Sequence, residues 1–288
     1  MITNYNNYQE LETLYKNSLA NNIIEYLPDG YPILLDKNWP LIGINCSGGA
    51  DSTMLTYLIC SLIKEKKYKT KVVILNHIRW WDTKPWQDYH GTITYEYLKN
   101  EFDDIITTRY QNLIPPILEP KFFPVTGKDF PGNFPGKTFP GGVIETINFD
   151  KFMTKKLGIS AIYAAINRSP KLVNFKNEPN DRVIDIDTLT EENAFHYTMY
   201  KYDKENDPWF ISPIAFVDKR WTVEQYITLR LENLLDMTRS CEGDVEMNPE
   251  IFKDLDYTTY TPGDTIPVCK TCYWCLEREW GISHAFKK

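Results

Sequence analysis

The segment 41–52 constrains the fold of this chain more than any other. An apolar run, Leu41-Ile42-Gly43-Ile44, leads into Ser-Gly-Gly-Ala-Asp-Ser at 47–52, and apolar residues at helical spacing follow at once. The pattern predicts a strand, a tight glycine turn and the start of a helix. In that arrangement backbone N–H groups and the positive end of a helix dipole point at one spot, which favours an anion such as phosphate.

Ser47, Gly48, Gly49 and Ser52 are therefore candidate phosphate ligands, and Asp51 is a candidate for orienting Mg²⁺ on the phosphate. Neither the Gly-x-x-x-x-Gly-Lys-Ser/Thr loop nor a Gly-x-Gly-x-x-Gly fingerprint occurs in the chain. The hexapeptide resembles the pyrophosphate loop of the N-type ATP pyrophosphatases. That resemblance implies cleavage of ATP between its α and β phosphates, with transfer of AMP to an oxygen of the substrate. The alternative is a polar strand-to-helix turn without a ligand.

Apolar strands alternate with helical patterns along most of the chain, which predicts an α/β fold with a doubly wound, mostly parallel sheet. Strands are predicted at 41–46, 72–75, near 104–108 and at 159–166. Helices are predicted at 8–26, from Ser52, around 86–101, at 149–157, near 190–201 and from Thr222 as the capping residue. We divide the chain into an N-terminal helical extension (1–37), an ATP-binding domain (38–235) and a C-terminal cysteine-bearing appendage (236–288).

Residues 113–143 interrupt the alternation with seven prolines and five glycines. Proline locks φ and removes a hydrogen-bond donor, so a regular helix or central strand is not expected there. Long loops inside compact domains are usually functional or disordered. An ordered lid or partner-contact loop and a mobile insertion both stay open.

Polar residues follow the predicted strands at the edge where open α/β sheets bind ligands. Asn76 and His77 are candidate ATP contacts, and Asn167 and Arg168 are candidate substrate contacts, on strand-end position alone. Lys219, with Asp51, is our candidate catalytic residue. It is expected to neutralise phosphate charge, although a lysine at a helix start is also common on an ordinary surface.

Three of the six cysteines form Cys269-x-x-Cys272-x-x-Cys275, and Cys241 is the only other cysteine in the C-terminal part. This spacing predicts a Cys₄ site for Zn²⁺ with a structural role, because four protein ligands leave no open position for water. An iron–sulfur cluster uses the same ligand set and stays open. A disulfide is disfavoured in a cytosolic chain.

The combination of these motifs resembles the 7-cyano-7-deazaguanine (preQ0) synthases. The segments 47–53, 212–219, 240–243 and 269–278 carry the resemblance. It implies ATP, Mg²⁺ and Zn²⁺ as cofactors, a 7-deazapurine carboxylate and ammonia as substrates, an amide intermediate, a nitrile product and a homodimer. The chain departs from the family at 76–80 and 167–170, which face the substrate there.

Composition narrows the alternatives. The net charge of −7 argues against broad binding to nucleic acid. No apolar run approaches the roughly 20 residues that span a bilayer, and no secretory signal is visible, so a cytoplasmic location is expected. Three other functions stay open: thiolation or amination of a tRNA base, action on a different carboxylate, and a non-catalytic zinc-stabilised nucleotide sensor.

Overall fold

A computed structural model describes residues 23–78, 86–114, 122–124, 138–167, 199–200, 208–241, 250 and 267–286. The strands in these parts are β1 Ile24–Tyr26, β2 Pro32–Leu34, β3 Leu41–Asn45, β4 Lys71–Ile78, β5 Ile106–Leu113, β6 Phe122–Pro124, β7 Thr138–Pro140, β8 Ala161–Ala164, β9 Met199–Tyr200 and β10 Trp209–Ile211. The helices are α1 Ala50–Lys66, α2 Trp86–Glu101, α3 Gly141–Leu157, α4 Lys219–Thr228, α5 Glu232–Met237 and α6 Tyr273–His284.

The main sheet has six strands in the order β5-β4-β3-β8-β10-β9. All neighbouring pairs are parallel except β10 with β9, which confirms the predicted α/β fold with a mostly parallel sheet. From β3 the chain runs through α1 to β4 on one side, whereas β8 lies on the other side. The carboxyl end of β3 is therefore the switch point of the sheet, where this class of fold forms its ligand crevice.

Strand β4 shows why the sheet is covered on both faces. Val72 and Ile74 belong to the larger apolar core, while Val73 and Leu75 join a second buried cluster with Met153 of α3. Successive side chains of a strand point to opposite faces, so a continuous apolar run is stable only when both faces are packed.

Three predicted elements differ from the structure. Residues 24–26 form strand β1, antiparallel to β2, so the predicted helix does not reach 26, and residues 8–22 lie outside the described parts. Residues 199–200 pair with β10 as an edge strand in place of a helix, and residues 190–198 lie outside the described parts. Helix α3 begins at Gly141, eight residues before its predicted start, whereas β6 and β7 form a separate two-stranded sheet and are not central strands. In each case long-range pairing or packing overrides the local pattern.

The three-part division of the chain stays a prediction. Among the described residues, no helix has the length and apolar character needed to cross a bilayer.

Helix α4 is capped by Asp218 and not by Thr222, which corrects the prediction. The Asp218 carboxylate accepts a hydrogen bond from the backbone N–H of Arg220 at 3.1 Å. Thr222 lies one turn into the helix, where its hydroxyl is directed at a carboxylate of the site described below.

We predict that Asp218→Ala lowers the free energy of unfolding by about 0.5–2 kcal/mol, because a buried helix start loses its cap. Urea denaturation followed by circular dichroism measures the change. Asp103→Ala is the control, since its side chain is 82% exposed and should cost less than about 0.5 kcal/mol. Equal losses for the two variants would contradict the capping role.

Candidate active site and metal centre

The glycine loop is pressed against helix α2. Gly48 has φ +80°, and a Cβ on it would lie 2.6 Å from the backbone nitrogen of Gly91 and 2.7 Å from the carbonyl carbon of His90. Gly91 itself has no room for a side chain, because its Cβ would lie 2.5 Å from Nδ2 of Asn76 on β4. Loop, helix and strand therefore approach each other through two glycines, and any larger residue would separate them.

The serines of the loop bind its own backbone. The Ser47 N–H donates to Ser52 Oγ at 3.2 Å, the two hydroxyl oxygens lie 3.3 Å apart, and Ser52 Oγ donates to the Gly49 carbonyl at 3.2 Å. Gly49 precedes α1 in extended conformation and supplies no side-chain cap. The N–H groups of the first helical turn thus remain directed out of the helix end, as in an anion site.

Asp51 is buried and accepts hydrogen bonds on both oxygens. Its Oδ1 accepts from Asn167 Nδ2 at 3.1 Å and from Thr222 Oγ1 at 2.9 Å. Its Oδ2 pairs with the ammonium group of Lys219. The predicted catalytic pair is thus brought together as an ion pair, and Asn167, a candidate substrate contact, donates to Asp51.

The ion pair continues into helix α6. Lys219 Nζ lies 3.5 Å from Glu277 Oε2, and both side chains are at most 1% exposed. The Tyr273 hydroxyl donates to Glu277 Oε1 at 3.1 Å. Gly281 lies directly on Lys219, since a Cβ there would be 2.8 Å from Lys219 Cγ. Helix α6 therefore packs tightly on the lysine that contacts the loop.

A cavity of about 450 Å³ opens at the loop, within the range typical of small-molecule sites. Loop residues, the ion pair, strand ends and the segment leading to the first cluster cysteine all face it. Its lining consists of Asn45, Ser47, Gly49, Asp51, Ser52, Leu75, His77, Trp86, Gln87, His90, Thr146, Ala165, Ile166, Lys219, Arg239, Ser240, Cys241 and Trp274.

His77 lies in a polar cluster at the strand ends. Its Nε2 is 3.1 Å from Asp150 Oδ1, and Asn45 Nδ2 donates to Asp150 Oδ2 at 3.0 Å. Asn112 Nδ2 lies 3.4 Å from His77 Nδ1. Asp150 was not predicted, although helical spacing places it on the same face as Met153, which is buried.

His90, which lines the cavity, was also not predicted from the sequence. Its Nδ1 lies 2.7 Å from the carbonyl oxygen of Met237, so Nδ1 carries the proton and Nε2 is the acceptor. Burial, with Arg239 and Arg278 nearby, lowers the pKa of His90 to about 4 against the opposing effect of the Met237 carbonyl, and the imidazole is neutral at pH 7. Within the described residues Nε2 is buried without a hydrogen-bond partner.

Arg239 links the loop to the cysteines. Its backbone N–H donates to the Gly48 carbonyl at 2.9 Å, and its guanidinium carbon lies 4.7 Å from the centre of the Trp86 ring. A second cavity, of about 860 Å³, shares His90, Arg239, Ser240 and Cys241 with the first. These residues form the wall between the two cavities.

The four predicted cysteine ligands come together. The Sγ atoms of Cys241 and Cys269 lie 3.5 Å apart, those of Cys269 and Cys275 lie 3.9 Å apart, and all four ligand atoms, including that of Cys272, lie within 4.8 Å of one another. Four sulfurs placed tetrahedrally at about 2.3 Å from one ion are about 3.8 Å apart. The donor set therefore fits a single tetrahedral ion, whereas a cluster with several irons holds its thiolates farther apart.

Hydrogen bonds within the cluster split the thiol pKa values. Hydrogen bonds with the thiols of Cys272 and Cys275 lower the pKa of Cys241. Hydrogen bonds with Cys241 and with Cys272 raise the pKa of Cys275. Backbone N–H groups of Cys269 and Cys272 also donate to sulfur, at 3.4 and 3.3 Å. These contacts favour thiolate at one edge of the cluster, which is the form that binds metal.

The remaining predicted residues are only partly gathered at the cavity. Ser47, Gly49 and Ser52 line it, and so does His77. Asn76 lies beneath Gly91 instead and is 1% exposed. Arg168 lies outside the described residues.

No protein-family model matches the chain, and no curated protein matches its sequence. Among solved structures, the U34-tRNA thiolase NcsA from Methanococcus maripaludis with its [4Fe-4S] cluster is similar over 92% of this chain and 87% of that chain, at 13% identity and a TM-score of 0.44.

We predict that Gly48→Ala destabilises the protein more than Gly158→Ala. Both glycines have positive φ, +80° and +72°, which costs an alanine about 1–2 kcal/mol. Only Gly48 would also meet backbone at 2.6 Å, an overlap worth about 1–3 kcal/mol more, whereas nothing lies within 4 Å of a Cβ at Gly158. Urea denaturation measures both changes, and equal losses would contradict the close packing of the loop on α2.

Proposed function

We propose that the chain is an ATP-dependent enzyme that transfers AMP to an oxygen of its substrate and releases pyrophosphate. One observation carries the proposal: the Ser-Gly-Gly-Ala-Asp-Ser loop lies at the switch point of a doubly wound sheet, where the uncapped start of α1 faces a cavity. Backbone N–H groups at such a position stabilise the charge that develops on a leaving phosphate.

Two cations complement the loop. Lys219 and Arg239 line the same cavity and are placed to neutralise pyrophosphate. Asp51 is the only carboxylate among the described lining residues, so it is the candidate for orienting the Mg²⁺ that accompanies ATP. Its Oδ1 already accepts two hydrogen bonds, whereas Oδ2, which pairs with Lys219, has a further lone pair available.

The acceptor that we propose is the carboxylate of 7-carboxy-7-deazaguanine. Its oxygen attacks the α-phosphorus of ATP, the bond to the bridging oxygen breaks, and pyrophosphate leaves. Ammonia then adds to the acyl carbon and loses a proton, and AMP departs with the former carboxylate oxygen to leave an amide. A second ATP activates the amide oxygen in the same way, and loss of AMP and protons leaves the nitrile.

Several polar side chains line the cavity where this acceptor would bind. They are Asn45, His77 and Gln87, whose amide and imidazole groups match the kinds of hydrogen-bonding group at the edge of a purine-like ring. The neutral His90 offers Nε2 as a hydrogen-bond acceptor at the wall between the two cavities.

The cysteines near the loop bear on whether ammonia or sulfur is the attacking group. Cys46, next to the loop, is 2% exposed and belongs to the apolar core. Among the described residues that line the cavity, Cys241 is the only cysteine, and it belongs to the four-thiol cluster. Thiolation or amination of a tRNA base and action on another carboxylate remain the alternatives, and a nucleotide sensor is the non-catalytic alternative.

The decisive experiment uses 7-carboxy-7-deazaguanine labelled with ¹⁸O in its carboxylate, together with ATP, Mg²⁺ and ammonium. We expect the nitrile as product and ¹⁸O in the released AMP, because the carboxylate oxygen leaves on the α-phosphorus. Mass spectrometry of both products measures this. Lys219→Gln should lower the rate at least about tenfold, whereas Lys64→Gln, an exposed lysine on α1, should not change it.

Parallel reactions with unmodified tRNA separate the alternatives. Release of AMP only in the presence of tRNA would make tRNA the acceptor and would leave the proposed adenylyl transfer intact. ATP binding without AMP release in any mixture would favour the sensor. The homodimer and the cytoplasmic location stay predictions.

We further propose that the four cysteines hold one structural Zn²⁺, because their sulfurs fit a single tetrahedral ion. When bound, the ion would supply no open coordination position and would join the segment at Cys241 to the start of α6.

We predict one zinc and no acid-labile sulfide per purified chain, measured by elemental analysis. Loss of a residue that hydrogen-bonds to a metal ligand weakens metal binding about 10- to 100-fold. Cys272→Ser removes a ligand itself and should weaken zinc binding by more than that. Cys60→Ala, a buried cysteine outside the cluster, should retain the metal. Iron and sulfide in stoichiometric amounts would overturn the assignment.

A further inference from the structure

We propose that Glu277 is a positioning residue through which metal binding at the four cysteines sets the geometry of the ATP loop. The inference rests on the proposed function and goes beyond it, since a structural zinc need not affect ATP affinity. It predicts that zinc and ATP strengthen each other's binding, and that Glu277 transmits most of that effect.

The first connection is the buried chain of charges. Asp51 belongs to the loop helix α1, Lys219 begins α4, and Glu277 lies two residues after the last cluster cysteine, Cys275. The Lys219 ammonium is 1% exposed and is shared by the two carboxylates. Because a buried ammonium has no water to replace a lost partner, its position follows whichever carboxylate moves.

The second connection is steric. Gly281, one helical turn after Glu277, lies so close to Lys219 that a Cβ would be 3.1 Å from the Lys219 carbonyl oxygen. Helix α6 therefore cannot shift along or toward α4 without moving Lys219. The Tyr273 hydroxyl, bonded to Glu277, fixes the carboxylate at the end of the helix that follows Cys272.

The third connection completes a loop of contacts through the first cysteine. Arg278 donates to the Thr238 hydroxyl at 2.6 Å and to the Leu235 carbonyl at 2.7 Å. One residue on, the Arg239 N–H donates to the Gly48 carbonyl. A metal that joins Cys241 to α6 thus restrains two segments at once. One carries Arg239, which contacts the loop, and the other carries Glu277, which contacts Lys219.

Charge and distance indicate the direction of the effect. With α6 held by the metal, Glu277 Oε2 stays 3.5 Å from the Lys219 ammonium that also pairs with Asp51, so both carboxylates attract the same cation. Without that restraint Lys219 moves with Asp51, and its ammonium group leaves the position at which it lines the cavity. Metal binding should therefore favour ATP, and by linkage ATP should favour metal to the same extent.

The test measures zinc affinity with a chromophoric chelator, with and without saturating α,β-methylene-ATP and Mg²⁺. This analogue binds like ATP but cannot be cleaved at the α–β bond. In the wild type we expect the analogue to raise zinc affinity about 5- to 150-fold. In Glu277→Gln, which keeps the size but not the charge, the factor should fall to below about twofold.

Glu279→Gln is the matched control, because it lies on the same helix but is exposed. It should keep the wild-type coupling. Should Glu277→Gln fail to fold, Tyr273→Phe removes only the hydroxyl that holds Glu277 and should lower the coupling partly. A merely structural role of Glu277 would lower stability and zinc affinity but leave the coupling factor unchanged.

The outcomes separate the two proposals. Analogue binding without any change in zinc affinity, or unchanged coupling in Glu277→Gln, overturns this inference and leaves the proposed function intact. No analogue binding by the zinc-loaded wild type overturns the proposed function, and this inference falls with it.

Discussion

The buried ammonium of Lys219 is the interaction on which the rest of the site depends. It is shared by Asp51 from the loop helix and Glu277 from the helix after the cysteines. Removing one partner of a buried ion pair costs about 3–5 kcal/mol, because the remaining charge has no water. Helices α1, α4 and α6 are therefore held in register by electrostatics at the floor of the cavity as well as by apolar packing.

Close backbone packing is the second constraint. Gly48 and Gly91 let the phosphate loop, α2 and β4 approach within distances that no Cβ allows. Contacts this close hold the loop against α2 and favour one direction for its N–H groups. Preorganised donors of this kind cost no reorganisation during catalysis, which is why they stabilise a developing charge effectively. The close contact of the loop with α2 and β4 thus depends on glycine at both positions.

Local spacing explains which predictions succeeded. The loop and the α/β alternation depend on residues near one another in sequence, and both the fold and the convergence of the four thiols agree with the sequence-based prediction. Predictions from strand-end position were weaker, because a strand end indicates an edge of the sheet but not the direction of a side chain. Asn76 faces Gly91 behind the cavity, and Asn167 holds Asp51. Thr222 was predicted to cap α4 and binds that carboxylate instead.

The residues that were missed share one property: each is a polar group on an otherwise buried helix face. Asp150 lies on the apolar face of α3, and Glu277 lies between Tyr273 and Gly281 on the buried face of α6. A carboxylate at such a position needs a partner, so helical spacing was a usable signal that something must meet it. The identity of the partner could not be predicted, since Lys219 and Glu277 are far apart in the sequence and meet only when α4 and α6 pack together.

By itself the sequence determined the class of the fold, the strand, glycine loop and helix at 41–66, and the four thiols that come together, because each follows from residue types at short, regular spacing. The tertiary structure alone decided that Lys219 joins Asp51 to Glu277, that Gly91 makes room for Gly48, and that the thiols stand at distances suited to one ion. Those relations join segments far apart in the chain, and their distances depend on how whole helices pack, which no local pattern encodes.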